Sequence, residues 1–148
     1  MNKPSIPFIP FLFSILSLAL TSLDTEAHTQ LGALGATATA TDIYLATCLN
    51  DGSGLPDNLV GKIIDLPPVV AASVALTVSK DGKSVVARDP VDGDSKYSPE
   101  VRLKGGAGVY TFTVAKSARG QELYRFEFHC ATATGVHTGS SIVKKQDQ

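Results

Sequence analysis

The chain has 148 residues, within the span of one domain. Thirteen Lys and Arg stand against 14 Asp and Glu, a formal net charge of −1. That balance leaves no basic surplus for a nucleic-acid partner, and no basic amphipathic helix is present to lie on a membrane.

The first segment reads as a secretory signal peptide. Lys3 is the only charge before Asp24, and residues 11–20 (FLFSILSLAL) form an apolar run closed by a short polar stretch. A spanning helix needs about 20 apolar residues. Pro7, Pro10 and Asp24 bound this run too closely, so a cleaved signal is expected rather than a membrane anchor. Thr25 and Ala27 supply the small residues at −3 and −1, which sets the cut between Ala27 and His28. The expected product is a single domain, residues 28–148, periplasmic or extracellular. Its basic and acidic residues are equal in number, and the Lys144-Lys145 pair reads as a solvated tail.

No stretch of this domain keeps a helical period over ten residues. Short alternating or β-branched runs recur instead, cut by Gly, Pro, Asn and Asp. Strands are expected at residues 36–41 (ATATAT), 42–48, 59–66, 74–79, 84–88, 100–104, 109–116, 122–130 and 137–144. Two of them assign their own faces. Tyr110, Phe112 and Val114 alternate with threonines, and Tyr124, Phe126, Phe128 and Cys130 alternate with Arg125, Glu127 and His129. Such alternation puts one face in the core and the other in water. Cys130 therefore points inward. Cys48, at the end of an early strand, is the only other cysteine, and an exported domain with an even count favours a disulfide. A loop enclosing most of the domain contributes about 4–5 kcal/mol on the chain-entropy model. These features define an all-β fold, a small immunoglobulin-like β-sandwich with one disulfide. A closed barrel is the alternative.

Three histidines follow the signal segment: His28, His129 and His137. As a new N-terminus, His28 offers its α-amine and its ring to one metal ion. The amine has an unperturbed pKa near 7.7–8.0, so a metal displaces its proton close to neutrality. Nitrogen donors in a tetragonal arrangement suit Cu(II). His129 and His137 flank a hairpin with residues 131–135 (ATATG) at its tip, and directly opposed residues would have Cβ atoms roughly 5 Å apart. The alternative is a frayed terminus and two ordinary surface histidines.

The ends of the domain resemble CopC-like periplasmic copper-binding proteins. His28 stands where that family has its N-terminal ligand, and residues 135–140 (GVHTGS) are similar to its short C-terminal histidine motif. The resemblance implies an exported β-sandwich that binds copper. The family usually has an acidic residue two positions before the late histidine; here that position is Gly135.

The loop at residues 89–94 (DPVDGD) offers Asp89, Asp92 and Asp94 to Ca²⁺, although Asp-Gly is equally a turn signal. For catalysis the chain has no nucleophile elbow, HExxH, P-loop or GxGxxG, and His129 and Cys130 point to opposite faces of one strand. A non-enzymatic role is expected, with a metal ion or a protein as partner. The two candidates are copper handling and a metal-free surface or assembly module recognised at its sheet edges.

Overall fold

The computed structural model describes residues 27–69 and 72–148. The expected signal segment, apart from Ala27, lies outside the described residues. Those residues form nine strands and no helix: β1 (His28–Leu34), β2 (Thr41–Leu49), β3 (Asn58–Leu66), β4 (Val74–Lys80), β5 (Lys83–Arg88), β6 (Val101–Lys104), β7 (Gly108–Lys116), β8 (Glu122–Ala131) and β9 (His137–Gln146). Their hydrogen-bonded order is β5-β4-β7-β2-β9-β8-β3-β6, with β1 also on β8.

This order is a sandwich that nearly closes into a barrel. One layer contains β6, β3, β8 and β1; the other contains β5, β4, β7 and β2. β9 belongs to both. Its first two residues pair with Cys130 and Ala131 of β8, and residues from Gly139 onward pair with β2. At the other side of the molecule β5 and β6, the two ends of the path, approach each other.

The alternation in β7 and β8 gives the core its form. Tyr110, Phe112, Val114, Tyr124, Phe126, Phe128 and Cys130 all lie inward, each at most 1% exposed. Phe112 sits between the β8 rings, 5.3 Å from Phe126 and 5.2 Å from Phe128 by ring centroid, in tilted and edge-on arrangements that aromatic quadrupoles favour. Cys48 of β2 meets Cys130 of β8 in a disulfide, Cα to Cα 5.6 Å, which ties the two layers together.

Two segments differ from expectation. Residues 36–40 are a turn and not part of a strand, with Ala40 N–H donating to the carbonyl of Thr37. Alternating Ala and Thr has the period of a strand but little apolar area to bury, and Ala36, Thr37, Ala38 and Thr39 are exposed. Residues 28–34 (HTQLGAL), by contrast, form β1 without an alternating apolar pattern. Only Leu34 of this strand is buried, and its pairing with β8 along residues 122–128 supplies the rest. Gly32 is required there, because a Cβ at that position would fall on the Tyr124 phenol.

Candidate functional site: the junction of β1, β8 and β9

Two strands share one edge of β8. β1 pairs with it from Leu34↔Glu122 to His28↔Phe128, and β9 from Cys130↔Thr138 to Ala131↔His137. The junction between them falls at His129. Three otherwise distant pieces of chain therefore meet there.

His129 lies on the outer face of β8, half-buried with Arg125 and Glu127, as its alternation with the aromatics requires. The ladder puts His137 opposite Ala131, so the two histidines are diagonal and not directly opposed. Their rings nevertheless stack, with centroids 4.0 Å apart and planes 24° apart. Burial, followed by the adjoining His137, pushes the His129 imidazole down to about 4. The ring is thus neutral at neutral pH, the form that ligates metals. The structure does not bring the His28 ring to this pair: directly opposite Phe128 on the ladder, it shares that residue's side of the sheet, away from His129, and stacks on it at 5.2 Å. Ala27, immediately before it, lines one cleft of about 120 Å³ with His129, His137, Lys62, Glu100 and Glu127. Glu127 is engaged there by the Tyr97 hydroxyl at 2.6 Å and by Lys62 at 3.1 Å. Glu100 is the second carboxylate of the cleft, a candidate the histidine pattern alone does not single out.

The hairpin tip explains the departure at Gly135. Its φ is +87°, in the left-handed region, where an acidic side chain is strained and glycine is not. The Thr132 N–H donates to the Val136 carbonyl at 2.8 Å and the Gly135 N–H to Thr132 at 3.0 Å, closing the turn.

The residues of the 89–94 loop separate. Asp89 is buried and accepts the backbone N–H groups of Asp65 at 2.7 Å and Val91 at 3.1 Å. Asp94 accepts the N–H of Lys96 at 2.7 Å, an ordinary Asx turn. Asp92 instead joins Asp65 of β3 and Glu122 of β8, with one ligand oxygen from each within 4.8 Å of the others. Among the described residues no other three His, Cys, Asp or Glu side chains converge in this way. The sequence signal for Asp65 was present, since it is a carboxylate inside the run NLVGKIIDL, which is buried almost throughout. Burial first, opposed by the Val74 N–H and reinforced by the Asp92 and Asp89 charges, pushes Asp65 up to about 6. Burial and the Asp65 and Asp92 charges push Glu122 up to about 7.

Another surface hollow, about 580 Å³, lies elsewhere, among Asp57, Lys80, Asp81, Lys83 and Lys104. Lys80 is occupied there by the carbonyls of Gly105 and Ala107. No helix among the described residues is long and apolar enough to cross a membrane. The disulfide is of a kind that forms and persists in oxidising compartments.

Compared with known proteins, the chain matches no protein-family model and no curated protein.

Proposed function

We propose that this is an exported copper-binding protein whose processed N-terminus completes the metal site. The observation that carries the reading is the shared cleft: Ala27 lines it together with the stacked pair His129 and His137. A cut after Ala27 frees the α-amine of His28 at the rim of that cleft. The amine and ring of His28 then form one chelate; its ring must leave the stack on Phe128 to turn toward His129 and His137, which supply further imidazole nitrogen. A nitrogen-rich set of this kind suits Cu(II). The signal-like leader and the Cys48–Cys130 disulfide support export to a periplasmic or extracellular space. The ion is cargo or a resident ligand, and no catalytic group is invoked.

The test is Cu(II) titration of protein beginning at His28, followed by electron paramagnetic resonance. One ion with a nitrogen-rich tetragonal spectrum is expected. A single glycine placed before His28 moves the amine away from the ring and should lower affinity at least tenfold, as should His137→Ala. Unchanged affinity in the extended protein refutes the N-terminal chelate.

A second reading, a metal-free interaction or assembly module, is supported by a different feature. Leu31, Ala33, Leu66 and Leu123 surround an open hollow beside β1, and Leu31 is 69% exposed. Patches of exposed apolar side chains mark association surfaces. Failure to bind Cu(II) leaves this reading in place.

A further inference from the structure

The end of β8 opposite the histidines carries a second constellation. Glu122 is seven residues from His129, roughly 23 Å along an extended strand. Glu122 is fully buried, and neither of its carboxylate oxygens has a hydrogen-bond partner. Asp65 is also fully buried; its Oδ2 accepts the Val74 N–H at 3.0 Å, but its Oδ1 receives no donor. Buried carboxylates without partners are costly. Asp92 brings a third carboxylate to the same place, with one oxygen from each side chain inside 4.8 Å of the others, and adds repulsion.

The surroundings relieve this cost only in part, through the Lys116 charge acting on Glu122 and the Val74 N–H acting on Asp65. Asp89 spends its oxygens on the backbone of Asp65 and Val91, which fixes the loop without entering the cluster. Lys116, the nearby cation, donates to the carbonyls of Gly35 and Gly120. The Gly93 N–H donates to the Asp65 carbonyl at 3.2 Å, so the loop carrying Asp92 is held against β3. Oxygen atoms from three chain segments thus face a common centre, and two of the side chains are sealed from water. A proton shared by Asp65 and Glu122 satisfies one oxygen pair only. A cation satisfies all of them together.

We propose that Asp65, Asp92 and Glu122 form a binding site for a hard divalent cation, Ca²⁺ in preference to Mg²⁺. All-oxygen donors select calcium-like ions over copper or zinc. Both Glu122 oxygens are open to bidentate ligation, which Ca²⁺ accepts in its flexible coordination of six to eight and compact octahedral Mg²⁺ does not favour. The bound ion joins β3, β8 and the 89–94 loop and has a structural role. This site is independent of the copper reading.

The test is thermal unfolding of the copper-free protein beginning at His28, at pH 8, with CaCl2, MgCl2 or a calcium chelator. CaCl2 should raise Tm over the chelator by about 5 °C or more, with MgCl2 giving less. Glu122→Gln, close in shape but uncharged, should melt at one temperature in all three solutions and show at least a hundredfold loss in calorimetric Ca²⁺ affinity. If that variant does not fold, Asp92→Asn, at a partly exposed position, serves in its place. Equal Tm in CaCl2 and chelator for the unaltered protein overturns the proposal and assigns the cluster a shared proton. Copper titration of Glu122→Gln should match that of the unaltered protein, which separates failure here from failure at the histidine cleft.

Discussion

Asp42 is a wholly buried carboxylate that does have partners. The Tyr124 hydroxyl donates to its Oδ2, Lys144 lies 2.9 Å from the same oxygen, and the Gln148 N–H reaches Oδ1 at 2.8 Å. Tyr44 and Tyr124 share a further hydrogen bond of 2.7 Å. Lys144 is therefore not the solvated tail expected from the sequence: it closes a network at one end of the core. Tyr124→Phe removes a donor from a buried charge and should cost about 1–3 kcal/mol in urea unfolding. The pH dependence adds a sharper test. Burial, then the bonds to Asp42 and Tyr44, raise the Tyr124 pKa well above its ordinary 10.0, so the fold favours the neutral phenol. A raised tyrosine contributes stability that is complete below pH 10 and is lost as pH climbs toward the folded value. The stability gap between the unaltered protein and Tyr124→Phe should accordingly narrow above pH 10.

Among the strands, legibility follows the amount of apolar side chain that each must bury. β7 and β8 alternate large aromatics with polar residues, and their faces, the inward Cys130 and the outward His129 were all readable from that pattern. β1 was not readable, because six of its seven residues stay at least partly exposed and its pairing partner is almost a hundred residues away in sequence, a long-range fact that no local pattern encodes. The ATATAT segment had the right period and too little to bury. The same logic governs the sites. His129 and His137 were legible as a hairpin pair, whereas the meeting of Asp65, Asp92 and Glu122 depends on three chain segments whose pairing only the fold reveals. β1 also yields a test. Leu34→Ala removes its one buried anchor and should cost about 2–5 kcal/mol. Leu31→Ala, on the exposed side of the same strand, should change stability by no more than about 0.5 kcal/mol. Both are read from denaturant midpoints.

In the molecule as a whole, the layers are joined covalently at one place and by hydrogen bonds along another. The Cys48–Cys130 bond spans 82 positions of sequence and lies beside the point where β9 passes between layers. Replacing both cysteines with alanine should lower the unfolding free energy by about 2–5 kcal/mol, and reductant should lower the unaltered protein's midpoint while leaving the variant's unchanged.

The passage of β9 between layers also sets an order of events. β9 follows every other described strand, yet the exposed edge of β2 and the end of β8 both depend on it. A chain delivered N-terminus first, through a ribosome or a translocation pore, therefore carries two unfinished sheet edges until this strand arrives. The last described strand to emerge is thus the one that stitches the two layers together.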